Sequence, residues 1–165
     1  MIHFRRRPPR GDPLASPQGA AGEAGVEFVG IADESLARPD FTPYEFRTDA
    51  GVWVRLHDMR FLGLEYEALP RVLTLRFIYD DPAWTPPEAE ATPLASFRFE
   101  DVLILRWEDH ASTRETPAEH RGQVGDLELD VATTVFSLDV TDMRLAFEAR
   151  RMEVRLLPVA PGPTA

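Results

Sequence analysis

"DLELDVATTVFSLDVTDMRLAFEARRMEVRLL", residues 126–157, is the stretch that decides the fold. It divides into four short runs, "DLELDV" (126–131), "TVFSLDV" (134–140), "RLAFEA" (144–149) and "MEVRLL" (152–157), separated by breaks of a few residues. Each run alternates, with one apolar face: Leu127, Leu129 and Val131; Phe136, Leu138 and Val140; Leu145 and Phe147; Met152, Val154 and Leu156. A period of two places those residues on one side of a strand, and the short breaks suit hairpins. Parallel sheets read as continuous apolar runs, because both their faces are buried, so the alternation argues for antiparallel pairing.

The same pattern extends upstream. "VEFVGI" (26–31) alternates loosely, "VWVRL" (52–56) aligns Val52, Val54 and Leu56, and "FLGLEY" (61–66) aligns Leu62, Leu64 and Tyr66. "RVLTLRFIY" (71–79) sets Leu73, Leu75, Phe77 and Tyr79 against Thr74 and Arg76. In "SFRFEDVLILRW" (96–107), Phe97 and Phe99 lead to Leu103, Leu105 and Trp107, with a bulge or kink at Glu100–Asp101. "DESLARPD" (33–40) predicts one helical turn that Pro39 stops. The expected architecture is all-β: an antiparallel β-sandwich or flattened barrel of about 8–10 short strands, with at most one short helix.

Domain organisation follows from where the pattern stops. Residues 1–25 hold Pro, Gly, Ala and Arg without periodicity and read as a disordered leader, residues 26–158 as one β domain, and residues 159–165 as a disordered tail. The "RRR" at 5–7 lacks the apolar stretch of roughly 7–15 residues that an export signal needs. No apolar run approaches the roughly 18 residues required to span a bilayer, so no membrane partner is expected.

Composition excludes several chemistries. Cys, Lys and Asn are absent from all 165 residues. There is thus no thiolate metal site, disulfide, cysteine nucleophile, Walker-type phosphate loop, Schiff base or N-glycosylation sequon. Arg5, Arg6, Arg7 and Arg10 make the first ten residues basic, and the remainder sets 14 Arg against 28 Asp plus Glu. A body so acidic repels phosphate backbones, which argues against nucleic acid as a partner. Acidity serves solubility in most proteins, and it also steers basic partners.

Three of the four histidines stand beside an acid: His57–Asp58, Asp109–His110 and Glu119–His120. A metal reading would gather His57, His110 and His120 with a carboxylate, but no H-x-H pair occurs on any strand. Neither a G-x-S-x-G elbow nor an S-x-x-K motif surrounds a serine. No catalytic, cofactor-binding or metal-ligating residue is therefore assigned, and no cofactor is expected. The "HD" of residues 57–58 reads as a strand junction, with Asp58 bonding backbone amides of the turn and His57 facing away from Leu56. The arginines at 76, 98, 106, 144 and 155 fall on polar strand faces, where they can pair across strands with the many acids.

Two loops interrupt the strands: "DDPAWTPPEAEATP" (80–93) and "EDHASTRETPAEHRGQ" (108–123). Connections of this length in a compact domain are functional or mobile. They supply the candidate partner-binding residues, Asp80, Asp81 and Trp84 from the first and Glu108, Asp109, Glu115 and Glu119 from the second.

"VRLHDMRFLGLEYEALPRVLTLRF" (54–77), followed by "FRFEDV" (97–102) and the closing "DMRLAFEARRMEVR" (142–155), resembles small bacterial β-proteins that include immunity-protein families of polymorphic toxin systems. The resemblance spans about residues 50–157, consists of strand patterns, and carries over no individual binding residue. It implies a cytoplasmic, non-enzymatic protein that neutralises a cognate toxin by direct binding, the toxin being typically a basic domain. Two other readings stand beside it. One is a ligand-binding or metal-dependent enzyme whose pocket is lined by His57, Tyr66, Trp107 and nearby acids; the other is a structural or oligomer-forming module, such as a homodimer.

Overall fold

A computed structural model describes residues 25–109, 117–141 and 143–159. Eleven strands are present among them: β1 (Glu27–Val29), β2 (Glu45–Arg47), β3 (Trp53–Arg55), β4 (Arg60–Glu67), β5 (Val72–Ile78), β6 (Leu94–Glu100), β7 (Leu103–Asp109), β8 (Val124–Asp130), β9 (Val135–Val140), β10 (Met143–Glu148) and β11 (Arg151–Leu157). The single α-helical turn, α1 (Asp33–Leu36), lies where the sequence places it.

The strands form a five-stranded sheet in the order β1-β11-β6-β5-β4, a four-stranded sheet in the order β7-β10-β9-β8, and a β2-β3 hairpin. The two larger sheets are joined face to face by aromatic side chains. Phe99 of β6 meets Phe136 of β9 and Phe147 of β10, with ring centroids 4.9 and 4.8 Å apart and edge-to-face geometry. The series continues within the five-stranded sheet from Phe97 to Phe77 at 5.0 Å, and Phe46 of β2 adds to it from the hairpin. These rings are fully buried, as are Leu73 and Leu75. An all-β antiparallel sandwich is thus what the alternation encodes.

Several expectations need correction. One pairing is parallel: β1 lies on β11, with Phe28 opposite Met152. This strand covers the sheet edge rather than filling its centre, and Phe28 anchors it on Phe41 with ring centroids 5.2 Å apart. β2 is too short to alternate visibly, which takes the strand number beyond the expected range. Leu62 does not share a face with Leu64: a register shift between Phe61 and Gly63 makes it a bulge residue, and it is 53% exposed. Val131 lies past the end of β8 and is exposed. Leu103, Leu105 and Trp107 do not continue the buried face of Phe97 and Phe99. Asp101, at φ 56°, turns the chain from one sheet into the other, and all three residues are about half exposed. The leader and tail lie outside the described residues, apart from Gly25 and the exposed Val159.

All five strand-face arginines have acid partners, but only two of them pair across strands as expected. Arg144 pairs across strands with Asp139 and Arg76 with Glu65, whereas Arg98, Arg106 and Arg155 each pair with the acid two residues along their own strand. Such exposed pairs contribute about 0–1 kcal/mol each.

Tyr79 closes the base of the β2-β3 hairpin from below. Its hydroxyl donates to the Trp53 carbonyl at 3.0 Å and accepts from the Arg55 amide at 2.9 Å. Burial pushes its pKa from the ordinary 10.0 up to about 12, the bond from the Arg55 amide partly offsetting the rise. A raised pKa means that the folded chain holds the phenolic proton more tightly than the unfolded chain. The contribution is therefore complete below pH 10 and is lost as pH climbs towards 12. Tyr79→Phe strands two backbone groups and should lower stability at neutral pH by about 1–3 kcal/mol. Urea titrations followed by circular dichroism at successive pH values should also show the variant losing less stability than the parent between pH 10 and 12.

Candidate functional site

The turn "LHD" at 56–58 is a single 3-10 turn between β3 and β4. Leu56 is fully buried beneath it and His57 is exposed, as alternation across the junction predicts. Asp58 does not play its expected part. The turn closes through the backbone, the Met59 amide donating to the Leu56 carbonyl at 3.2 Å, and the Asp58 carboxylate lines a cleft instead.

Three segments distant in sequence build that cleft, whose volume is about 330 Å³. The first is the turn itself with the start of β4, contributing His57, Asp58 and Arg60. The second is the start of the Pro-rich loop, contributing Asp80, Asp81 and Trp84. The third is the approach to β8, where Glu119, Arg121 and Gln123 complete the wall.

Each segment is held by identifiable bonds. The Pro-rich loop is closed at its base by the Tyr79 amide donating to the Pro93 carbonyl at 2.9 Å. Asp81 then organises a tight turn: its Oδ1 accepts from the Ala83 amide at 2.8 Å, and its carbonyl accepts from the Trp84 amide at 3.1 Å and the Thr85 hydroxyl at 2.8 Å. That turn holds Trp84 outward, 62% exposed. Arg60 reaches from β4 to Asp80 at 2.6 Å, tying the loop to the sheet.

The third segment joins the two sheets at this corner. Gly122 accepts at its carbonyl from the Phe61 amide at 2.8 Å, and Arg60 and Gln123 form an isolated antiparallel bridge. Gly122 lies at φ +74°, and a β-carbon there would fall 2.7 Å from the Phe61 carbonyl oxygen. Only glycine permits both the conformation and the approach.

The cleft is mixed in charge with an acidic excess, Asp58, Asp80, Asp81 and Glu119 set against Arg60 and Arg121. His57 also borders a second depression of about 430 Å³ beside Tyr44 and Asp139. There the Tyr44 hydroxyl donates to the Val124 carbonyl at 3.3 Å. Burial raises the Tyr44 pKa, and Asp126 and Asp58 raise it further.

Four of the seven residues nominated from sequence, Asp80, Asp81, Trp84 and Glu119, therefore converge. Glu108 and Asp109 do not join them. They lie on β7, at the opposite margin of the four-stranded sheet from β8, which three strand spacings place roughly 14 Å away. Glu115 lies outside the described residues, as does His110. The pocket of His57, Tyr66 and Trp107 does not form, since neither aromatic lines the cleft; Tyr66 is on β4 and Trp107 on β7, margins of two different sheets. Among the described residues no three His, Cys, Asp or Glu side chains come together as metal ligands. Nor is any helix among them long and apolar enough to cross a membrane.

Sequence reasoning missed Arg60, Arg121 and Gln123. Periodicity marks Arg60 only as a polar strand residue, and nothing local shows that Gly122 brings β8 against β4.

Compared with protein-family models, curated proteins and solved structures, the chain gives no significant match.

Gly122→Ala should lower stability by about 1–3 kcal/mol through the strained backbone and the close contact. Amide hydrogen exchange should localise the loss, with Phe61 deprotected while the Phe99 region of β6 stays slow.

Proposed function

We propose that this chain is a non-enzymatic protein-binding module whose cleft captures a basic protein partner, in the manner of an immunity protein occluding a toxin. The observation that carries this reading is the convergence of Asp80, Asp81, Trp84 and Glu119, from two loops far apart in sequence, around the turn at 56–58. An exposed tryptophan beside carboxylates matches the makeup of an interface anchor. The ring supplies apolar area at low entropic cost, and the acids around it attract and orient a cationic side chain. The formal charge of −10 adds long-range steering, which raises association rates towards a basic surface. Backbone bonds already hold Asp81, Trp84 and Gly122 in place, so little ordering cost remains at binding.

The direct test uses the product of a neighbouring toxin-like gene, with its basic C-terminal domain titrated into this protein at two salt concentrations. Binding that weakens at higher salt supports the reading, and no binding at low salt to any adjacent-gene product overturns it. Within such a complex, Trp84→Ala should weaken affinity by about 30-fold or more, the scale of a hot-spot truncation. Asp81→Asn and Glu119→Gln should act mainly on the association rate and reduce its salt dependence. Surface plasmon resonance separates the two effects. The same loss at Glu108→Gln would instead place the contact on β7.

A further inference from the structure

The sandwich has a second exposed feature, remote from the cleft. β7 pairs along one side with β10, and among the described residues no strand pairs with its other side. Natural sheet edges are protected by shortness, bulges, charge or proline. β1 has three residues, β4 is bulged at Leu62 and joined to Gly122, and β8 carries Asp126, Glu128 and Asp130. β7 runs for seven residues without proline; its charges, Arg106, Glu108 and Asp109, are of both signs where those of β8 are all acidic, and Leu103, Leu105 and Trp107 are 49, 48 and 50% exposed. Its one irregularity, at Leu105, leaves 106–109 in regular register with β10.

We infer that this edge pairs with a second copy of the chain, antiparallel about a two-fold axis through Trp107, and joins two four-stranded sheets into one of eight. The sequence "RWE" at 106–108 carries its own complement in that arrangement. Arg106 falls opposite Glu108 of the partner subunit, and Glu108 opposite the partner's Arg106. Both side chains share the outer face, since their β10 neighbours are Ala146 and Arg144, and they already pair within one chain. Association therefore produces a square of four charges whose signs alternate around it. Trp107 is level with the buried Leu145 on the core side, at the rim, where the partner's Trp107 covers it. A two-fold through one residue suits an antiparallel ladder whether that residue sits in a wide or a narrow pair. A foreign strand could use the same backbone edge, but the charge order about Trp107 favours the chain itself. The interface is small and each chain is acidic, so the dimer is concentration-dependent rather than obligate.

Sedimentation equilibrium over a range of concentrations should show the mass rising from 18.6 kDa towards twice that value. Arg106→Glu alone and Glu108→Arg alone should each weaken dimerisation tenfold or more. The double exchange, which recreates the alternating square, should recover it. Circular dichroism checks that every variant is folded. Hydrogen exchange on the unmodified chain gives the same test without substitution, with amides 105–109 slowing as concentration rises. A mass of one chain up to several hundred micromolar overturns the inference and leaves the edge to a strand of another protein. A dimer indifferent to the single exchanges, or not recovered by the double one, overturns it equally.

Discussion

The contact on which the structure depends is Phe99 set between Phe136 and Phe147. Burial of their apolar faces brings the two sheets together, but particular contacts must fix their spacing and rotation. Here three rings do so: Phe99 edge-on to both partners, and Phe136 and Phe147 stacked on each other at 5.4 Å. Interlocked rings tolerate little sliding, because protein interiors are close-packed and a small shift either opens a void or produces overlap. Phe97 and Phe77 carry the same packing along the five-stranded sheet as far as Phe61 at the start of β4. The cleft is built on the far side of that strand start. Its geometry is thus set by the aromatic core as much as by its own loops.

The alternation of residues 126–157 and 71–79 specified most of the sandwich, because a half-buried strand must repeat every two residues. It failed where local geometry breaks that repeat. The bulge at Leu62 inverted the face of one residue, and the left-handed Asp101 moved β7 to the other sheet, so that Leu103, Leu105 and Trp107 lost the burial that Phe97 and Phe99 keep. A bulge costs one residue and leaves no compositional mark apart from Gly63. Glu100–Asp101 was readable as a kink, but its consequence, a change of sheet, depends on long-range packing.

The site was legible in its parts and not in its assembly. Exposed charge and a tryptophan in a Pro-rich loop pointed to Asp80, Asp81 and Trp84, and a polar connection pointed to Glu119. Their convergence requires Gly122 against Phe61, a contact between residues 61 positions apart that leaves no periodic trace. The same topology separates Glu108 and Asp109, which stand in the same loop sequence as Glu119 yet belong to the far margin of the sheet.

The two margins of the sandwich differ in a way that bears on how each can bind. At one, the Phe61–Gly122 bond and the Arg60–Gln123 bridge cross-link the sheets at the corner of the cleft, so the proposed recognition there falls to side chains. Side-chain recognition by carboxylates and an indole selects for charge and acts over a distance, which favours rapid capture of a basic surface. At the other, β7 offers a backbone ladder flanked by leucines and a tryptophan, and the pairing inferred there is short-ranged and opposed by the net charge of like copies. An acidic chain repels its own copies at long range and attracts basic partners, so under the proposed function the cleft would engage a cationic protein ahead of the β7 edge. Because the margins lie at opposite ends of the four-stranded sheet, pairing through β7 leaves the cleft open. A dimer would then present two such clefts, and a partner bearing two basic sites would gain from both by avidity.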